Sequence, residues 1–405
     1  MKRFFIILLA VLLLFAGVAG YFTMKNRPAP VQDEPDPSVI EEPTEEGYGI
    51  TLRTIDREAV YALHDPEEIV ATIDGRDVTW DEYFYWLSSG AASVENYMLQ
   101  MAFYGDGASW EDPWGDDPDE DFFDYVIYSA EENIKPFAVI EGIAKEYGVE
   151  LDEAGQQNLA DQLAQHRVEA VGEEGTDEEY AEYLRTVEHM RYETLETLMR
   201  DSALYQAGFT AIYGENGAKV TDEDAMAWLE ESGTMRANHI LRLTMDMDTG
   251  EALDEDAAAQ KEAEAAAIAA QLQAIEDPEE LLARLAELKE QWDEDSGKEA
   301  NPDGYVFGEG EMVEPFETAT KNLRDYQVSD PVKTEFGYHV IVRLPLDPET
   351  VIGYSSEGTP MTARAACANA RYGQLLDEKL LAAKLQYAEG FEKPDLSQYT
   401  LEENL

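Results

Sequence analysis

The sequence predicts an α+β protein, with a small antiparallel sheet flanked by helices and inserted between two parts of a mostly helical domain. Three observations carry this. Two segments, "RANHILRL" (236–243) and "TEFGYHVIVRL" (334–344), alternate in the manner of strands and bracket one stretch of chain. From residue 122 to 229 apolar positions recur at three- and four-residue spacing, with few strand signals. A last helical pattern covers 362–388, with Tyr372, Leu376, Leu380 and Tyr387 on one stripe. It is too polar to stand alone and is expected to pack on the N-terminal helices.

The elements follow in chain order. "MKRFFIILLAVLLLFAGVAGYFTMK" sets Lys2 and Arg3 before an apolar run from Phe4 to Phe22, close to the ~20 residues that span a bilayer. Residues 1–27 are therefore expected to be a membrane anchor with the body outside. The alternative is a signal peptide cleaved at "GVA". Lys25 and Arg27 blur the charge bias that sets orientation. Residues 28–48 are rich in proline and acid and read as an extended tether. The helical domain then runs over 49–232. In "EEIVATIDGRDVTWDEYFYWL", residues 69–72 read as a short strand, Asp74-Gly75 as a turn, and Thr79 with Glu82 as a capping box. Residues 104–121 form an acidic loop that lacks the glycine and glutamate positions of a calcium loop. Thr221 starts one more helix.

The texture changes at residue 233. A strand over 236–243 leads to an Ala/Glu helix at 256–275 and a second helix at 278–291. A glycine-punctuated loop, a short helix and a closing turn and strand follow, giving β-α-α-loop-α-β over 233–347. The C-terminal segment is 348–405.

Composition narrows the function classes. The chain has 405 residues, with 87 acidic against 29 basic and a formal net charge of −58. Such a surface repels phosphate backbones, so no nucleic-acid partner is expected. The single cysteine, Cys367, permits no internal disulfide and no cysteine-based metal site, and reads as a small buried residue. There is no Gly-x-Ser-x-Gly elbow and no phosphate-binding glycine loop. Neither a cofactor nor a metal is expected.

What remains is the pair of histidines. His339 shares a strand face with Ile341 and Arg343, and His239 shares one with Leu241 and Leu243. Each alone reads as a core histidine. On adjacent strands facing one way, their rings can hydrogen-bond to each other. The loop "WDEDSG" (292–297) can bring an acid to them, and in "EMVEPFE" Met312 and Phe316, expected one helical turn apart, can wall a small pocket. His64, His166 and His189 are expected to face solvent.

These residues carry a resemblance. "ANHIL", "FGEGEMVEPFE" and "VSDPVKTEFGYHVI" resemble the opening strand, pocket segment and closing strand of the parvulin-type peptidyl-prolyl isomerases. The flanking regions, with "ATIDGRDVTWDEY", look like secreted foldases of the PrsA and SurA kind. The resemblance implies that His239 and His339 are paired active-site histidines beside Asp295 and Thr334. It implies that Met312, Phe316, Val313 and Phe307 form the proline-binding pocket. The family's Gly-Gly-Asp-Leu-Gly is here "NPDGY", which keeps Asp303 but loses the first glycines and the leucine. The implied partners are unfolded or newly exported polypeptides with X-Pro bonds. The loop after the first strand, "TMDMDTGEALDED", has no Lys or Arg, so a phosphate before proline would be repelled. The implied protein is an extracytoplasmic isomerase and foldase. The competing readings are a holdase whose isomerase domain no longer turns over, and an acidic envelope scaffold that leaves the histidine strands unexplained.

Overall fold

The computed structural model describes residues 50–404 apart from 106, 116, 247–248 and 355–357. The expected anchor at 1–27 and tether at 28–48 lie outside the described residues. In chain order the elements are β1 (Thr51–Ile55), α1 (Arg57–Tyr61), β2 (Ile69–Ile73), β3 (Arg76–Thr79), α2 (Trp80–Phe103), α3 (Phe122–Tyr147), α4 (Glu153–Val171) and α5 (Asp177–Tyr183). After a π-helical turn at Leu184–Glu188 come α6 (Tyr192–Tyr213), α7 (Asp222–Glu231), β4 (Met235–Leu243), α8 (Glu255–Gln273) and α9 (Pro278–Trp292). Then follow β5 (Tyr305–Phe307), α10 (Glu314–Asn322), β6 (Val332–Lys333), β7 (Gly337–Arg343), β8 (Val351–Tyr354) and β9 (Pro360–Thr362). The chain closes with α11 (Ala363–Ala382), β10 (Leu385–Tyr387) and β11 (Thr400–Asn404). Among the described residues no helix is long and apolar enough to cross a membrane. The chain divides into two compact units, one running to Gly208 and resuming at Leu376, the other Phe209–Leu375.

In the first unit β2 and β3 form a hairpin turned by Asp74 (φ 50°) and Gly75 (φ 86°), the paired positive φ of a type I′ turn. Thr79 Oγ1 accepts the Glu82 N–H at 3.3 Å and so starts α2. The return half of the expected capping box does not form. Glu82 instead accepts from Nη1 of Arg76 at 2.9 Å, and Arg76, only 8% exposed, also donates to Glu141 (3.0 Å) and Asp201 (3.3 Å). A buried guanidinium costs far more unpaired than one N–H at a helix start, so it takes the carboxylate.

The final helix is shorter than expected. It ends at Ala382, and Leu385–Tyr387 becomes a strand that pairs with β2. Tyr387 therefore leaves the predicted stripe, and its hydroxyl lies 2.8 Å from that of Tyr83 and 2.6 Å from Glu131. The free edge of β2, opposite β3, offers unpaired backbone groups that a helix would leave bare.

None of the three remaining histidines is freely exposed. The His64 ring packs 4.8 Å from Trp80 and 5.0 Å from Phe391. His166 bonds the Tyr180 hydroxyl (2.7 Å) and lies 3.0 Å from Glu188. Burial, helped by the charge of Arg57, pulls His189 down to about 4. Their neighbours in sequence are polar, but the residues that bury them are far away along the chain.

The second unit contains a four-stranded antiparallel sheet in the order β5-β4-β7-β6. One face buries Ile240, Val340, Val342 and Leu344 against Leu272 of α8 and Leu281, Leu285 and Leu288 of α9. The other gathers Met235, Ala237 and Ile341 with Phe307 of β5 and Phe316 of α10. Strand β5 falls inside the stretch expected to be a loop, since three residues are too few for periodicity to register. Gly304 (φ 92°) lets β5 reach the sheet, because a Cβ there would lie 2.6 Å from the Ala237 carbonyl oxygen.

Candidate active site

The β4–β7 ladder pairs His239 with Ile341 and Leu241 with His339, so both histidines project from one face, diagonally related. Their ring centroids are 5.1 Å apart at 53°. Phe316 meets both edge-on, at 5.2 Å from His239 and 5.4 Å from His339, and Tyr305 stacks on His239 at 5.5 Å. The expected hydrogen bond between the two imidazoles is not made. Nδ1 of each ring is buried without a partner. The aromatic packing sets the ring planes, and each Nε2 turns to its own neighbour. That of His339 lies 2.9 Å from Thr334 Oγ1, which also accepts the Phe336 N–H at 3.2 Å. That of His239 lies 3.6 Å from Asp295 Oδ2, longer than a hydrogen bond.

Asp295 is held firmly. Its Oδ2 accepts the Tyr305 hydroxyl at 2.6 Å and its Oδ1 the Gly297 N–H at 3.0 Å. The neighbouring Asp293 is 5% exposed and braces the strand, its Oδ1 accepting the Leu241 N–H at 2.9 Å. Lys289 donates to Asn238 Oδ1 at 2.6 Å, just behind His239.

Met312 and Phe316 are not on one helical turn. Helix α10 begins at Glu314, so Met312 sits in the bend before it while Phe316 is on its first turn. Val313, with φ −59° and ψ 136°, is the extended N-cap that leaves Met312 outside the helix, and Pro315 fits the first turn because its missing N–H breaks no intrahelical bond there. The same apolar cluster still collects Phe307 and Phe316, with Met312, Val313 and Tyr305 partly buried against it.

The electrostatics favour uncharged rings. Burial depresses His339 to about 4, although Asp295 pulls the other way. Burial also lowers His239, followed by repulsion from His339, against the pull of Asp295. For Asp295 burial acts upward, but the Tyr305 hydroxyl, the Gly297 N–H and His239 together hold it below the usual carboxylate range. Burial first, then the Asp295 bond, raises Tyr305. At neutral pH the site thus holds two neutral imidazoles, one carboxylate and an apolar wall. Among the described residues no group of three His, Cys, Asp or Glu side chains is placed to hold a metal ion.

The structure brings His239, His339, Asp295, Thr334, Phe307, Phe316, Met312 and Val313 to one face of the sheet and its edge. Sequence reasoning missed Tyr305 and Lys289. Tyr305 has a legible signal, standing two residues from Phe307 on the same strand face. Lys289 has none, being a helix lysine whose partner Asn238 is 51 positions away.

Residues 239–344 match the Rotamase family, described as the PPIC-type PPIase domain. The chain is 48% identical over 58 residues to the foldase protein PrsA of Geobacillus sp. (strain WCH70), covering 14% of this chain and 21% of that one. It is 31% identical over 129 residues to the foldase protein PrsA of Bacillus subtilis, covering 31% and 36% respectively. Among solved structures it is similar to PrsA from Bacillus subtilis at 18% identity, over 78% of this chain and 92% of that one, with a TM-score of 0.22. It is also similar to NmPin, the parvulin of Nitrosopumilus maritimus, at 30% identity, over 28% and 98%, with a TM-score of 0.20. The matched stretch spans 21% of the length of the first of these relatives, and the segment 239–344 is a PPIC-type PPIase domain.

Proposed function

We propose that this chain, carrying a PPIC-type PPIase domain at residues 239–344, is a peptidyl-prolyl cis–trans isomerase and foldase that acts on unmodified X-Pro bonds of exported polypeptides. One observation carries the reading. Two buried, neutral imidazoles stand beside a buried phenylalanine wall, each with an unpartnered Nδ1.

Turning an X-Pro amide faces a barrier of ~18–20 kcal/mol, and no bond to the carbonyl carbon has to break. What lowers the barrier is a site that fits the twisted amide better than either planar form. Phe316, Met312, Val313 and Phe307 would take the proline ring in a dry apolar seat. His239 and His339 would present uncharged polar edges to an amide that has lost its resonance. Neutral rings suit this, because a charged imidazolium would demand solvation that the site excludes. Asp295, held by Tyr305, fixes the electrostatic setting of His239, and Thr334 fixes the orientation of His339. No covalent step is required of Asp295.

The proposed arrangement along the chain is an anchor or signal peptide at 1–27, a tether at 28–48, an isomerase module at 233–347, and helical segments 49–232 and 348–405 that hold unfolded chains outside the membrane. Supporting the first two is the apolar run after Lys2 and Arg3, followed by the proline-rich acidic stretch. The second reading, a holdase with a silent site, draws on the altered "NPDGY" loop. Tyr305 and Gly304 of that loop are built into the sheet and the Asp295 bond, which favours a working site. Measuring cis–trans exchange of unphosphorylated X-Pro-Phe peptides decides between them. Exchange faster than the uncatalysed rate supports the isomerase, and none for any X supports the holdase.

A further inference from the structure

Strand β4 outruns its neighbour. Strand β5 pairs with residues 235–237 and stops, so beyond it the N–H groups of His239, Leu241 and Leu243 have no strand to donate to on that side. Three side chains take its place. Asn238 Oδ1 accepts the His239 N–H at 2.9 Å, Asp293 Oδ1 the Leu241 N–H at 2.9 Å, and Glu294 Oε2 the Leu243 N–H at 2.8 Å. Two of these, Asn238 and Asp293, converge on one residue. Lys289, in the last turn of α9 and 8% exposed, donates to Asn238 Oδ1 at 2.6 Å. Its ammonium also lies 3.9 Å from Asp293 Oδ2, an oxygen that makes no hydrogen bond. Both ties run on to the active site. Asn238 precedes His239 and donates through Nδ2 to the Pro302 carbonyl at 3.2 Å, while Asp293 Oδ1 also accepts the Asp295 N–H at 3.1 Å.

Resting on the isomerase reading above, we propose that Lys289 is a positioning residue of the active site, its buried ammonium tying Asn238 to Asp293 and so holding His239 and Asp295 at a fixed separation. His239 Nε2 and Asp295 Oδ2 stand 3.6 Å apart but belong to a strand and to a loop, so their spacing has to be set from behind. Neighbouring side chains on a strand alternate, which turns Asn238 towards α9 and lets Lys289 act from the face opposite the proline seat. With two donors on its oxygen the Asn238 amide cannot flip, because its nitrogen would then meet the ammonium and the His239 N–H. The charge has a second effect. The titratable groups facing His239 are His339, Asp295, Lys289 and Tyr305, the last with its hydroxyl bound to Asp295. Burial and then repulsion from His339 keep the His239 ring neutral against Asp295, and the ammonium adds to them. His339 answers to burial and to Asp295. Burial, with Lys298, weakens the hold of Lys289 on its own proton, and Asp293, Asp295 and Asp303 strengthen it.

The test is Lys289→Met in the purified chain, followed by cis–trans exchange of Ala-Ala-Pro-Phe peptides and by NMR titration of the imidazoles. The expected result is a kcat about tenfold lower with KM within about twofold of the wild type. The titration midpoint of His239 should rise by about one pH unit, while that of His339 stays near 4. Lys289→Met with Asp293→Asn removes both buried charges and keeps an acceptor for the Leu241 N–H, so it serves where the single variant fails to fold, with the same pattern expected. An unaltered kcat in a folded variant would overturn the proposal. So would a joint rise of His239 and His339, which is the mark of loosened packing and entering water rather than of a clamp on one ring. Absence of exchange by the wild type would refute the isomerase reading, and the movement of His239 without His339 would still decide whether Lys289 sets the site.

Discussion

Replacing Phe316 by Ala should cost stability, catalysis and the neutrality of the histidines together. The ring is 2% exposed and touches Phe307 at 5.8 Å and both imidazoles at just over 5 Å. Truncating a buried phenylalanine costs about 3–5 kcal/mol, a large share of the 5–15 kcal/mol that holds a domain. The lost wall also removes the apolar surface offered to the proline ring. Burying a group of that size is worth about 1.5–3 kcal/mol, so kcat/KM should fall about 10- to 150-fold. Water admitted to the gap relieves the desolvation that holds His339 at about 4, so its pKa should climb towards the ordinary 6.5. Urea unfolding, peptide exchange and NMR titration of the imidazole protons read the three effects on one sample. A variant that loses stability but keeps full activity, with His339 still near 4, would refute the idea that Phe316 both seats the substrate and dries the site.

Three further outcomes follow from other contacts. Thr334→Val keeps the shape but leaves His339 Nε2 and the Phe336 N–H without their partner, which should cost about 1–3 kcal/mol and lower kcat with KM nearly unchanged; an unaltered kcat would show that the His339 orientation does not matter. Because the folded state holds His339 near 4 and the unfolded chain near 6.5, its contribution is fully present above pH 6.5 and is lost as pH falls, by up to about 3 kcal/mol at pH 4. Denaturation of wild type against His339→Gln should diverge across that window, and the activity profile should show no inflection near 6.5. In the other unit, Arg76→Met strands the buried Glu82 and leaves Glu141 with Lys145 alone and Asp201 with Arg200 alone; Glu82 and Asp201 are already raised by burial, so the change should destabilise by about 3–5 kcal/mol at neutral pH, and a change below about 1 kcal/mol would mean the cluster is solvated.

Much of this architecture is legible in the sequence because it is written in period. Alternation in 334–344 places His339 opposite the face of Val340 and Val342, and the same alternation serves His239. The N-caps Thr79 and Thr221 mark helix starts that the chain uses. The misses share a cause, which is competition from residues distant in sequence. Glu82 abandons its capping box for Arg76, whose other partners lie 65 and 125 positions further on. Residues 385–387 leave the helical stripe because the edge of β2, laid down some three hundred positions earlier, needs a partner. Within the site, the residue types were readable and the hydrogen bonds were not. Ring stacking by Tyr305 and Phe316, rather than contact between the histidines, decides where each imidazole nitrogen points.

The most direct test of the central claim is the rate of cis–trans exchange of unphosphorylated X-Pro-Phe peptides with the purified chain, beside His239→Ala/His339→Ala. The account predicts catalysis by the wild type that collapses to background in the double variant while the fold, followed by circular dichroism, persists. Undiminished exchange in the double variant would place the chemistry elsewhere, and no exchange by the wild type across several X residues would contradict the isomerase itself.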